Sequence, residues 1–514
     1  MNHSAFLRNL IIYAICWPAA IIVGYWAVSA ANVPTYSSLS LIGIVALVLS
    51  TPILLRWHYP LMIFCWSLPV TLFFLQGSPT IGLAMIAISL GISLLQRATN
   101  RNMHFIRAPQ IVLPLCALIV VVLVTAKFTG GIGLHSLGSE VMGGKKYVFL
   151  LAGIFGYFAL TARRIPPEHA NRYIALFFLP PCIGIIGELV NVLPSFLYWI
   201  FLVIPPDFYG TNSAGATRFP SIGGAAMTIF LFMLVRYGIR GIFLEGKWWR
   251  PTVLILSFVG IFFGGFRSFV GLYALIFLIQ FFMEGMHRTK LLPLLIFMGV
   301  FAAVLCVPFS NHLPRTFQRA LSFLPLNIDP MVRAEAEGSL DWRIEMWKAV
   351  LPQVPQHLLL GKGYAITQED WEFMGRDEAF HAIDPAEQSL ALSGDYHNGP
   401  LSVILPFGIW GTIAWLWFLI AGGWALHHNH RYGNPALQTI NLALFALFIA
   451  KVIFFFFIFG SLMNDVLGFG GYFGLSVALN GGICRRPART PASEPQKTSP
   501  PAFQRPRLQP GFSK

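Results

Sequence analysis

The sequence predicts an all-α polytopic membrane protein of about 12–14 transmembrane helices with one large extracytoplasmic loop. Three observations carry that prediction. First, 56% of the residues are hydrophobic and only 11% are charged, where soluble domains carry about 25% charge. Second, apolar runs succeed one another along nearly the whole chain. They lie at 10–28, 38–55, 58–76, 79–96, 110–128, 147–162, 173–204, 220–238, 252–265, 268–284, 291–308, 399–426, 437–460 and 464–482. Third, a single long polar stretch, Phe309–Asn398, interrupts them and holds thirteen of the twenty-one acidic residues.

The N-terminal run follows a basic start and is closely followed by another apolar run. It therefore reads as a first membrane helix rather than a cleaved signal. The run 173–204 contains Glu188, Asn191 and Pro194 and is expected to be one crossing, kinked or partly re-entrant. The runs 252–265 and 268–284 are divided only by Phe266 and Arg267, which predicts a tight corner or a broken helix. Five of the six cysteines lie in apolar runs and none lies in the polar stretch. Without a CxxC or a zinc-type spacing they read as small buried hydrophobes.

Loop charge sets the expected orientation. Fifteen basic residues before the tail fall on one side of the membrane. The short loops of the other side hold only Lys127, Lys145, Lys146, Arg218 and Arg267. The positive-inside rule then puts both termini in the cytoplasm. The chain divides into membrane helices 1–11 over 1–308, an extracytoplasmic loop over 309–398, helices 12–14 over 399–484 and a disordered cytoplasmic tail over 485–514. With seven basic and thirteen acidic residues, the loop carries a net charge of −6. The overall charge of +14 belongs to the cytoplasmic faces and tail, so it is a topology signal and implies no nucleic-acid partner.

Within the loop, Ser339 is the expected N-cap of a helix over about 340–351 that ends at Pro352. Arg343 and Trp347 are four residues apart and share a face of it. A guanidinium beside an indole suits a phosphate or a sugar ring; the other reading is an internal ion pair with the loop's own carboxylates and plain packing. The segment "LLLGKGY" (358–364) reads as an apolar return and a Gly-x-Gly turn, since it lacks the features of a nucleotide-binding loop. His397 and Asn398 sit where the chain re-enters the membrane, and an imidazole there serves as a general base, a ligand or an anchor. Arg218 and Arg267 stand at helix entrances on the same side, either snorkelling to headgroups or used in chemistry. No metal ligands are assigned. The acidic stretch Glu369–Glu387 reads as a solvated face, and His427, His428 and His430 lie on the opposite side from the other candidates.

The ordered set resembles the O-antigen ligase and polymerase superfamily of polytopic membrane glycosyltransferases, of the GT-C type. An external corner arginine matches "GGFRS" at Arg267. An R…W…P…GxG segment matches Arg343, Trp347, Pro355, Gly361 and Gly363. An HN…L…GxxG segment matches His397, Asn398, Leu401, Gly408 and Gly411. Three positions depart from the family pattern: no Asn follows Arg218, Phe266 rather than Ser precedes Arg267, and Gly399-Pro400 follow His-Asn. The resemblance implies glycan transfer from an undecaprenyl-pyrophosphate donor to an acceptor hydroxyl, without metal or other cofactor and with inversion. The acceptor is another lipid-linked glycan for a polymerase, or lipid A–core for a ligase. In this scheme His397 and Arg267 are catalytic, while Arg218, Arg343, Trp347 and Asn398 bind substrate, in a bacterial inner membrane. Two rival readings are a lipid-linked oligosaccharide flippase or other transporter, which would use Glu188 or Lys451, and a scaffold in a polysaccharide assembly complex.

Overall fold

The computed structural model describes residues 13, 17, 36–73, 75, 78–100, 104–130, 144–207, 215, 217–364 and 396–486. Most of the run at 10–28, the acidic stretch Glu369–Glu387 and the tail from 487 onward lie outside the described residues. The described chain is helical throughout, with one isolated bridge between Thr71 and Thr80. Seven helical segments are long and apolar enough to cross a membrane, and four shorter apolar helices accompany them. The protein is an all-α polytopic membrane protein.

Helix α1 (Tyr36–Cys65) corrects the first expectation, since the runs at 38–55 and 58–76 are not two helices divided by a loop. The helix continues through Arg56 and Trp57 into the start of the second run, whose polar residues find partners on neighbouring helices: His58 Nδ1 pairs with Ser89 Oγ at 2.9 Å, and the Tyr59 hydroxyl donates to the Leu160 carbonyl at 2.7 Å. Helices α2 (Ile81–Thr99), α3 (Pro109–Thr129) and α4 (Gly144–Leu160) follow. The run at 173–204 is broken, as its prolines require. After α5 (Ala170–Phe178) it continues in short 3₁₀ and helical turns to Asn191. The chain then doubles back, so that the Asp207 amide donates to the Gly187 carbonyl at 3.0 Å.

Helices α6 (Pro220–Phe243), α7 (Trp249–Ile261), α8 (Arg267–Met283) and α9 (Leu291–Cys306) come next. The expected corner between α7 and α8 is present. Gly265 takes φ 68°, a left-handed conformation that suits glycine. Beyond α9 lie the short α10 (Arg315–Ala320) and then α11 (Pro330–Val350). The latter begins ten residues earlier than the sequence suggested. Its cap is Asp329, whose carboxylate accepts from the Met331 amide at 2.9 Å, and Ser339 lies inside the helix. An Asp-Pro start is a strong helix signal, and it takes precedence over the expected Ser339 cap.

The last three helices are α12 (Gly399–Tyr432), α13 (Gln438–Phe457) and α14 (Leu462–Asn480). α12 is interrupted at Gly408, with φ 60° and ψ −158°. The Gly-x-Gly return fits into this interruption. Lys362 and Gly363 amides donate to the Leu405 and Pro406 carbonyls at 2.8 and 3.0 Å, and the Ile409 amide donates to Leu358 at 2.7 Å. Main packing pairs are α4 with α14, α3 with α12, α6 with α7 and α8 with α13. Trp415, Phe418, Phe455, Phe469 and Phe473 fill the space between α12, α13 and α14.

Candidate active site

The starts of α6, α8, α12 and α14 meet at one end of the bundle. The Phe219 amide donates to the Phe263 carbonyl at 3.0 Å, joining the start of α6 to the α7–α8 corner. The Leu462 amide donates to Ser402 Oγ at 3.0 Å, joining α14 to the first turn of α12. α11 ties this end together through both of the residue groups singled out in the sequence.

The first group is cationic. Arg218 lies just before α6 and Arg267 is the first residue of α8. The positive end of a helix dipole does not favour a cation, so both positions call for negative charge. Arg218 Nη2 meets Glu335 Oε1 of α11 at 3.1 Å, and Arg267 Nη2 donates to the Ala336 carbonyl at 2.8 Å. A third guanidinium, missed in the sequence, completes the group: Arg319 Nε meets Glu335 Oε2 at 2.7 Å and its Nη1 donates to the Gly265 carbonyl of the corner. Burial, and then the like charge of Arg319, draw the Arg218 guanidinium below its ordinary value, while Glu335 opposes them. The Arg218 side chain also lies over the Phe266 ring at 5.6 Å, and its Nε–H is buried without a partner among the described residues.

The second group surrounds His397. Asn398 caps α12, its Oδ1 accepting from the Leu401 amide at 3.1 Å. His397, immediately before, takes φ 51°, an uncommon conformation for a residue with a Cβ. Its ring is held edge-on between Trp342 of α11 at 5.7 Å and Phe459 at 4.9 Å. The Trp347 indole donates to the Tyr396 carbonyl at 2.7 Å, so this tryptophan fixes the backbone directly before His397. Trp342, Met346 and Tyr396 form a small apolar core with Leu401 and Leu405. Arg343 is half-buried on α11 next to Trp342.

α11 spans both groups. Ala336 holds Arg267 and Trp342 holds His397, which separates these anchor points by about 9 Å along the helix axis. A line of rings bridges the same interval. Phe266 contacts Phe269 at 5.5 Å, Phe269 stacks with Phe454 at 6.4 Å, and Phe454 reaches Phe459 at 6.2 Å beside His397. The structure thus brings Arg218 with Arg267, and Trp347 and Asn398 with His397, at one end of the fold. Sequence reading missed Arg319, Glu335, Trp342 and Phe459. Arg319 and Glu335 were visible only as two among the loop's many charges, and Phe459 only as part of an apolar run.

No group of three or more His, Cys, Asp or Glu side chains suited to a metal occurs among the described residues.

Fold and site together define a polytopic membrane protein with an arginine cluster and a histidine at the same end. Residues 252–416, about a third of the chain, match the Wzy_C family model, O-antigen ligase. The matched stretch runs from α7 into α12 and includes Arg267, Arg319, Glu335, Arg343, Trp347 and His397; Arg218 lies before it. No curated protein matches the chain. The match supports a role in polysaccharide assembly, with glycosyltransferase-like ligase or polymerase activity.

Proposed function

We propose that the protein transfers a glycan from an undecaprenyl-pyrophosphate donor to an acceptor hydroxyl at the extracytoplasmic face of a bacterial inner membrane. The observation that carries this reading is the joining by α11 of a three-arginine cluster and the His397 ring. Arg218, Arg267 and Arg319 receive the diphosphate, and their charge stabilises it as the C1–O bond to phosphate breaks. His397 accepts the acceptor hydroxyl's proton as that oxygen bonds to C1, a role worth about 10²–10⁴-fold in rate. The transfer is proposed as metal-independent and inverting, as the family resemblance implies. The spacing along α11 leaves room for a sugar between the leaving group and the base, over the Phe269–Phe454–Phe459 rings. Arg343 is proposed to bind the glycan or its phosphate, with Trp347 and Asn398 holding the base in register.

The test is a glycan profile of cells carrying Arg267→Ala or His397→Ala. Long-chain glycan is expected to disappear while the protein stays in the membrane at wild-type level. Unchanged glycan ladders in both variants would overturn the proposal. Cells without the protein assign the acceptor: single repeats on the acceptor indicate a polymerase, and polymer left on the lipid carrier indicates a ligase.

A transporter reading draws on one observation, the Lys451–Asp465 ion pair of 3.3 Å between α13 and α14, because ionisable pairs among membrane helices often mark a transport path. Translocation of a labelled lipid-linked repeat into vesicles, without a change in chain length, would favour it.

A further inference from the structure

Among the described residues, one carboxylate lies inside the arginine cluster. Both oxygens of Glu335 are engaged, one by Arg218 and one by Arg319, and Arg267 bonds the very next carbonyl. Three guanidiniums and one carboxylate leave a net charge of +2 among these side chains. Like-charge repulsion disfavours such a group unless an anion completes it. The Arg218 Nε–H is buried without a partner among the described residues, so donor capacity remains after Glu335 has been served. A surface ion pair would be worth little. Here the Glu335 side chain is only 17% exposed and that of Arg319 only 10%, so the charge balance is set in a poorly screened place.

We infer that Glu335 is a specificity-determining residue that fixes the cluster at two net positive charges. It thereby matches a sugar-bearing diphosphate and works against retention of the bare lipid diphosphate left after transfer. This inference rests on the proposed function. A diphosphate esterified at both ends carries two negative charges, whereas transfer of the glycan frees a terminal phosphate that carries up to about one more near neutral pH. With Glu335 present, the donor brings the cluster to neutrality and the product overshoots it. Glu335 is then repelled by the extra charge, and release of the spent carrier is favoured. Without Glu335, three uncompensated guanidiniums would suit the product better than the donor.

The experiment compares binding of two probes to the full-length protein in detergent: undecaprenyl pyrophosphate, and the same lipid carrying one N-acetylglucosamine on its terminal phosphate. For Glu335→Gln, affinity for the bare diphosphate is expected to rise about fivefold or more relative to the sugar-bearing probe. Product inhibition by undecaprenyl pyrophosphate should strengthen accordingly. Arg319→Gln removes a positive charge from the same cluster and is expected to move the ratio the other way, which keeps a test in hand if Glu335→Gln does not fold. An unchanged ratio in either folded variant, or a parallel loss of both probes, overturns the inference and leaves the proposed function standing. Failure of the wild-type protein to bind either probe overturns both.

Discussion

His397 combines a left-handed backbone with an edge-on grip by two aromatic rings. A non-glycine residue in that region costs of order 1 kcal/mol and persists only where its surroundings impose it. The imposing contacts are nameable: the Asn398 cap on one side and the Trp347–Tyr396 hydrogen bond on the other. Trp347→Phe keeps the ring and deletes the bond. It should lower turnover about tenfold while costing only about 1 kcal/mol of stability, read as kcat against thermal midpoint in the same preparation. Asn398→Ala removes the cap and should cost about 1 kcal/mol, which Asn398→Asp should largely restore. The sequence made His397, Asn398 and Trp347 legible as residues of interest, because polar and aromatic side chains at a membrane entry stand out. It hid their division of labour. Which tryptophan face or edge is used depends on a partner 49 positions away in the chain, and no local pattern encodes that.

Among the elements, α11 and α12 position both residue groups. Ser339 and Pro352 predict a helix over about 340–351, but the helix starts at Pro330 because Asp329 is the true cap and Ser339 lies inside it. The Gly-x-Gly turn was legible as a turn, while its destination was not. Gly361 and Gly408 both have positive φ, and a Cβ on Gly408 would lie 2.5 Å from the Leu358 carbonyl oxygen. Gly408→Ala should therefore collide with backbone and strain the chain at once. We expect a loss of at least about 2 kcal/mol, visible as a lowered thermal midpoint and loss of the folded protein from the membrane. Gly271→Ala is the control, since a Cβ there meets nothing within 4 Å.

For the whole molecule, membrane class and the α7–α8 corner followed directly from hydropathy. Long apolar runs leave few alternatives to helices in lipid. The apolar runs divide at Arg56-Trp57, while the helix continues across them with His58 and Tyr59 satisfied by partners on other helices, which no local pattern shows. The Lys451–Asp465 pair shows the same difficulty. Asp465 also accepts from the Ser461 amide at 3.0 Å, an anchoring role at the turn that carries Phe459 to His397. Asp465→Asn would leave the lysine uncompensated and should cost about 3–5 kcal/mol, measured by thermal unfolding in detergent. If the pair serves transport instead, translocation should be lost with stability intact.

The interruption of α12 also bears on how the protein is made. Residues 358–363 supply the hydrogen-bond partners for the broken turn around Gly408, and they precede that turn in the chain. On a ribosome they are synthesised first. When α12 enters the bilayer, the segment that satisfies its exposed amides and carbonyls already exists. The backbone gap can close as the helix arrives, without a period in which unpaired peptide groups face hydrocarbon. Reversing that order of synthesis, for example by circular permutation with the new termini between Tyr364 and Asn398, should impair insertion even if every contact of the finished fold is preserved.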